Sequence, residues 1–235
     1  MVNAPEGKVD GLIFDKDGTL FDFHASWSGW AIEVIGALAG QSAGLTAALA
    51  DAMDFDHAAG RFRPTSPIIA GTNRETVECV ARVIHDRDIA ELEEMLATRA
   101  ARAALVPPVP LAPLLGGLRD RGLVLGVVTN DSAVSVQAHL CKAGIEGYFD
   151  FVAGFDSGFG AKPAADPLLA FAGATGLAPA RVAMVGDSTH DLLAGRAAGM
   201  TTLAVLTGPA ARDDLAPLAD AVLDHVGHLP AWLDA

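Results

Sequence analysis

Three short apolar runs in this chain stop abruptly at polar clusters, and that arrangement leaves few folds open. Gly11-Leu12-Ile13-Phe14 runs into Asp15-Lys16-Asp17-Gly18-Thr19-Leu20. Leu123 to Val128 runs into Thr129-Asn130, and Val182-Ala183-Met184-Val185-Gly186 runs into Asp187-Ser188-Thr189-His190-Asp191. Apolar runs this short, bounded by turn residues, read as strands buried on both faces. Strand and helix alternate through the second half of the chain, which implies a parallel, Rossmann-like α/β sheet with right-handed crossovers. Open sheets of this kind bind ligands at the carboxyl ends of their strands. The polar clusters therefore fall where a site is expected.

The spacing of apolar residues predicts a first strand over 9–14. Helix-like texture rich in Ala, Leu, Ile and Glu follows from Trp27 to about Arg102, with helices expected over 31–39, 44–53 and 89–104. Another helix is expected from an N-cap at Thr72 or Asn73, with Glu75 in its first turn, to about His85. Val106-Pro107-Pro108-Val109-Pro110 then breaks the pattern and reads as a linker. After it, helices over 111–121, 132–143, 167–175 and 190–198 alternate with strands over 123–129, 151–153, 181–185, 202–206 and 221–223. Gly144, Gly176 and Gly199 are placed to end three of those helices.

Two carboxylates two residues apart at a strand tip suit either a hard cation such as Mg²⁺ or a nucleophile beside an acid/base. A strand-ending turn rich in Gly and Asp gives the same pattern. Asp187 and Asp191 fit N-terminal helix capping equally well. Thr129 and Asn130, at a strand-to-helix junction, place a hydroxyl and backbone amides where anions bind.

Taken in order and spacing, four motifs resemble the haloacid dehalogenase superfamily, whose members are mostly Mg²⁺-dependent phosphatases. They are Asp15 to Leu20; Val127 to Asn130; Ala161-Lys162-Pro163 after the glycine-rich stretch 154–160; and Val182 to Asp191. The whole looks most like the phosphoglycolate-phosphatase-like branch. The resemblance implies a core of residues 1–20 and 108–235 and an inserted α-helical cap of residues 21–107. It makes Asp15 the nucleophile that forms an aspartyl-phosphate. Asp17 becomes the acid that protonates the leaving group and then activates water. Mg²⁺ would bind Asp15, Asp187 and the backbone carbonyl of Asp17, with Asp191 in support. Gly18, Thr129, Asn130 and Lys162 would surround the phosphoryl group. Lys162 would neutralise nucleophile and phosphate, and Gly18 and Thr19 would permit the tight backbone.

Asp17 argues against dehalogenation, whose leaving group needs no proton. Schiff-base phosphonate chemistry needs a cap lysine, and no lysine occurs between Phe21 and Val106. The resemblance leaves a phosphosugar mutase, or a non-catalytic phosphate-ligand-binding protein, as alternatives to a phosphatase. Lys16 departs from the apolar residue frequent in close relatives. Strand alternation points it away from the face of Asp15 and Asp17.

Composition narrows the partners. The chain has 235 residues, 51% hydrophobic and 19% charged, with a formal net charge of −13. A substantial core is affordable, while nucleic-acid and anionic-membrane surfaces are disfavoured. A small phosphorylated metabolite must then be attracted by local positive charge, from Lys162 and a bound cation. Cys79 and Cys141 match no disulfide or metal spacing and read as reduced, partly buried thiols. No signal peptide or membrane span is evident, so a cytoplasmic monomer or homodimer is expected. In the cap, Arg63 and Arg74 are candidates to read a substrate carboxylate or second phosphate. His24, Trp27 and Trp30 stand near the entrance, with helix packing the simpler role for the tryptophans. The spacing of His225 and His228 suggests a metal pair without other clustered ligands.

Overall fold

A strand that is apolar at every position needs cover on both faces, and β1 (Gly11–Phe14) is buried at all four residues. A computed structural model describes residues 8–69, 71 and 73–235, apart from the side chain of Asn73. From β1 the chain passes through α1 (Phe23–Ala39), α2 (Ala43–Ala52), a hairpin of β2 (Phe55–Asp56) and β3 (Arg61–Phe62), α3 (Asn73–Ala81) and α4 (Ile89–Ala100). It then alternates through α5 (Leu111–Asp120), β4 (Val124–Val128), α6 (Ala133–Lys142), β5 (Phe151–Ala153), α7 (Asp166–Thr175) and β6 (Val182–Gly186). The last elements are α8 (Thr189–Ala197), β7 (Thr201–Val205), α9 (Arg212–Leu215), β8 (Ala221–Leu223) and α10 (Leu229–Asp234).

The described residues form a six-stranded parallel sheet in the order β5-β4-β1-β6-β7-β8. β1 lies between β4 and β6, with Phe14 opposite both Val127 and Val185. The chain builds outward on one side of β1 and returns to build on the other. That reversal opens the ligand crevice of a doubly wound sheet at the carboxyl ends of the central strands. Side-chain alternation divides the core cleanly. Leu12, Phe14, Leu125, Val127, Ala183 and Val185 enter one apolar cluster, while Ile13, Val128, Val182 and Met184 enter another. In the second layer, Phe171 of α7 lies against Gly11 and Gly126, where a β-carbon would meet its ring.

The residues between β1 and α5 bury a cluster of their own. Trp30, Val34 and Ile35 of α1, Leu49 of α2, Phe55 and Phe62 of the hairpin, and Leu92 and Leu96 of α4 all join it. α1 begins at Phe23, well before the expected 31, because the Asp22 carboxylate caps it by accepting from the Ala25 amide at 2.8 Å. Both Trp27 and Trp30 therefore lie on this helix. The hairpin was not expected, since strands of two residues carry no readable alternation. α3 stops at Ala81 and α4 at Ala100, short of the expected ends. Thr72, one of the two expected caps of α3, lies outside the described residues, as do residues 1–7. Cys79 is buried as expected, whereas Cys141 is exposed on α6; both are free thiols. Among the described residues no helix is long and apolar enough to cross a membrane.

Phe171 fills the space that two glycines leave open under the central strands. Phe171→Ala is expected to cost about 3–5 kcal/mol, read as a lower urea midpoint at unchanged m value.

Candidate active site

Three side chains occupy the first position beyond adjacent strands: Asp15 after β1, Thr129 after β4 and Asp187 after β6. The strand register therefore puts them side by side, and the backbone continues the pairing for one more step. The Asp15 amide donates to the Val185 carbonyl at 2.9 Å, and the Thr129 amide to that of Ala153 at 3.0 Å. Gly18 makes the turn out of β1 with φ +85°, and a β-carbon there would overlap the Asp187 carboxylate. Only glycine meets both conditions.

Lys162 lies at the centre of the first charge cluster and is almost fully buried. Its Nζ contacts Asp15 Oδ1 at 2.6 Å, Asp191 Oδ1 at 2.6 Å and the Val128 carbonyl at 2.8 Å. Asn130 fixes the lysine's backbone from both sides. Its Oδ1 accepts from the Lys162 amide and its Nδ2 donates to the Lys162 carbonyl, each at 2.9 Å. Asp191 has a double duty. Its Oδ2 accepts from the amide and hydroxyl of Ser188, completing the capping box of α8, while its Oδ1 faces Lys162. Thr19 Oγ1 donates to Asp187 Oδ1 at 2.9 Å.

Burial opposes the Lys162 charge, but Asp15 and Asp191 outweigh it and raise its pKa further. Burial pushes the Asp15 carboxyl up to about 7; Lys162 opposes this, and Asp191 and Asp17 add to it. Asp187 is pushed well above the usual carboxylate range by burial, then by Asp15 and Asp191. Three carboxyl groups here face one ammonium, and ionising all three would leave two charges uncompensated, which adds to burial in raising Asp15 and Asp187. Oxygens of Asp15, Asp187 and Asp191 all lie within 4.8 Å of one another. A buried, all-oxygen, doubly negative set fits a hard divalent cation.

A second buried ammonium organises the other acids. Lys16 is fully buried, with its Nζ 2.6 Å from Asp17 Oδ2, 3.0 Å from Asp131 Oδ2 and 3.0 Å from His139 Nδ1. An ammonium can only donate, so Nδ1 accepts and Nε2–H points to the Ala100 carbonyl of α4, 3.4 Å away. Burial, and then the Lys16 charge, lower the His139 pKa and keep its ring neutral. Burial also works against ionised Asp131, but Lys16 and the Ser135 hydroxyl win and hold it below its usual value. The other Asp17 oxygen, Oδ1, accepts from the indole N–H of Trp27 at 2.9 Å. Lys16 thus does not point away from Asp17. The strand has ended at Phe14, so alternation no longer governs the next residues. Asp17 turns its carboxylate to Lys16 and Trp27 instead of joining the three-acid cluster.

The acids and Thr129 open onto a cavity between the sheet edge and the inserted helices, which contribute Trp27, Trp30, Ile68 and Ile69.

A model of the haloacid dehalogenase-like hydrolases matches residues 9–199 of the chain. The chain belongs to that family. Among curated relatives, the phosphoglycolate phosphatase of Escherichia coli K12 is 40% identical over 98 residues. That match spans 42% of this chain and 39% of the enzyme. Solved structures agree on the fold. A haloacid dehalogenase-like hydrolase from Bacteroides fragilis matches 94% of this chain and 100% of its own, with a TM-score of 0.73 at 19% identity. CbbY from Rhodobacter sphaeroides, solved in complex with phosphate, matches 97% and 100% with a TM-score of 0.67 at 22% identity.

In this family member the two cap arginines lie away from the site. Arg63 is exposed and pairs with Asp54 at 3.1 Å, and Arg74 pairs with Glu78 one turn along α3 at 3.2 Å. Neither is among the described residues lining the cavity. His225 and His228 stack ring on ring, and His225 Nδ1 accepts from the Gly227 amide. Sequence reasoning placed Trp27 near the entrance but missed its bond to Asp17, and it missed the contacts of Lys16, Asp131 and His139. A lysine between two aspartates at a buried strand tip was the available signal.

Lys16→Met leaves Asp17 and Asp131 without their cation and is expected to destabilise the protein by about 3–5 kcal/mol, measured by chemical denaturation. The raised pKa of Asp15 has a definite sign. Its contribution to stability is complete below about 3.8, the ordinary value, and is lost as pH rises through about 7. A divalent cation held by these carboxylates would relieve that loss. Added Mg²⁺ is therefore expected to raise Tm more at pH 8 than at pH 5, with a total stabilisation of about 2.7 kcal/mol wherever it stands at a hundredfold excess over Kd.

Proposed function

We propose that this protein is a Mg²⁺-dependent phosphatase that hydrolyses a small phosphomonoester through an aspartyl-phosphate. The observation that carries the reading is Asp15. It lies at the tip of the central strand, held by Lys162 within a three-acid cluster, on the floor of a cavity. The core of residues 1–20 and 108–235 would perform the chemistry, and the cap of residues 21–107 would enclose the leaving group.

Asp15 attacks phosphorus with its free carboxylate oxygen. Lys162 keeps the carboxylate in place and offsets part of the negative charge that builds up on the phosphoryl oxygens. Thr129, Asn130 and the backbone at Gly18 line the place where those oxygens sit. Asp17 gives a proton to the departing alcohol oxygen, so the P–O bond breaks without releasing an alkoxide. The same carboxylate then takes a proton from water as that water attacks the aspartyl-phosphate, freeing inorganic phosphate and restoring Asp15. Trp27 holds Asp17 from the cap side. Asp15 and Asp187, with the Asp17 backbone carbonyl, would hold Mg²⁺, supported by Asp191 beside them. When bound, the ion supplies Lewis-acid neutralisation of the phosphoryl charge. Closure of the cap over the cavity would exclude bulk water during transfer. The phosphoglycolate phosphatases among the relatives support the reaction class, although their likeness spans under half of this chain.

Phosphate release from a panel of phosphomonoesters is expected with Mg²⁺ and is abolished by EDTA. Asp15→Asn is expected to lower kcat by at least about three orders of magnitude. Phosphate that moves between positions of a bisphosphorylated sugar without being released would overturn hydrolysis in favour of a mutase.

A further inference from the structure

The cavity has two walls of opposite chemistry. The floor holds the acids, Thr129, Asn130, Lys162, Ser188 and His190, whereas the described cap wall is largely hydrocarbon. Trp27 and Trp30 meet edge to face, with ring centroids 5.7 Å apart and planes at 87°. Phe23 stands beside them, and Ile68 and Ile69 contribute from the loop before α3. Thr76 and Gly71 complete the described part of this wall along with Ala100 of α4.

Lys162 is the one lysine or arginine among the described lining residues. Its ammonium is already taken by Asp15, Asp191 and the Val128 carbonyl. Lys16 is enclosed by Asp17, Asp131 and His139. A carboxylate or second phosphate on the leaving group would thus meet, along the described part of the cap wall, aromatic and aliphatic carbon. On the opposite side it would face Asp17 and Asp131, which also line the cavity, and His190 on α8 lines the floor beside Asp187 and Asp191, where the phosphoryl group itself would lie. Removing such a charge from water without a partner is heavily penalised. An uncharged carbon skeleton, in contrast, gains from burial against these side chains and from stacking on the indoles.

We infer that the leaving group of the substrate is an uncharged, largely apolar alcohol, and not a hydroxy acid such as glycolate. This inference rests on the phosphatase reading. The phosphoryl group lies on the polar floor and the alcohol's carbon chain or ring lies between Trp30 and the Ile68–Ile69 pair. Asp17 protonates the oxygen where the two halves meet.

A matched pair of esters tests it. n-Propyl phosphate and 2-phosphoglycolate differ mainly by a terminal ethyl group against a carboxylate. With Mg²⁺ present, kcat/KM for propyl phosphate is expected to exceed that for phosphoglycolate by at least about tenfold, and benzyl phosphate to exceed both. Ile69→Arg, which places a cation on the cap wall, is expected to shift the ratio toward phosphoglycolate by about tenfold or more. Binding gives an independent readout without turnover. Benzylphosphonate is expected to quench tryptophan fluorescence at a Kd at least about tenfold below that of phosphonoacetate. If phosphoglycolate is the better substrate and phosphonoacetate the tighter ligand, the inference is overturned while the phosphatase reading stands. If no ester releases phosphate, the phosphatase reading falls, and this inference falls with it.

Discussion

A buried ammonium without partners would be too costly to keep charged, and the catalytic end of this molecule is arranged around meeting that demand at Lys162. The three acceptors that satisfy it come from three different elements. Asp15 follows β1, Val128 ends β4 and Asp191 lies in the first turn of α8. The lysine itself arrives on the loop after β5, gripped by Asn130. One cation therefore ties four parts of the sheet edge to a common point. Asp191 shows how little of the arrangement is free to change. One oxygen stabilises the start of a helix and the other closes the charge cluster.

The second ammonium, Lys16, sorts the remaining acids. It draws Asp17 and Asp131 to one side, away from the three carboxylates around Lys162. Neutral His139 completes the enclosure and reaches the Ala100 carbonyl on the inserted helices. The same network thus touches both halves of the molecule. The net charge of −13 need not repel an anionic ester, because attraction is required only at the floor of the cavity, where Lys162 and a bound cation would supply it.

Much of the fold was legible because buried parallel strands write their signal in composition. The runs ending at Phe14, Val128 and Gly186 are strands, and all three end beside the site. Gly176 and Gly199 follow helices in the left-handed backbone conformation that glycine favours. The acids of the site were legible for the same reason, since polar residues at apolar strand tips stand out in sequence. Lys16 was misread because period-two alternation was extended two residues past the end of β1. Trp27 was read as an entrance residue that more simply packs, and its bond to Asp17 was missed because nothing in local sequence announces a hydrogen bond to a residue ten positions earlier. Asp131 and His139 form long-range pairs with Lys16, and such pairs leave no periodic trace. The β2–β3 hairpin was too short to give one.

Trp27 carries a consequence for any attempt to change selectivity. Its ring is part of the wall around the leaving group, and its N–H is a donor to Asp17. Enlarging the chamber at this position would remove a support from the acid in the same stroke, so chamber size and acid placement cannot be tuned separately there. Ile68 and Ile69 carry no such second duty. The loop before α3, rather than the first cap helix, is where this scaffold can be reshaped without disturbing its chemistry.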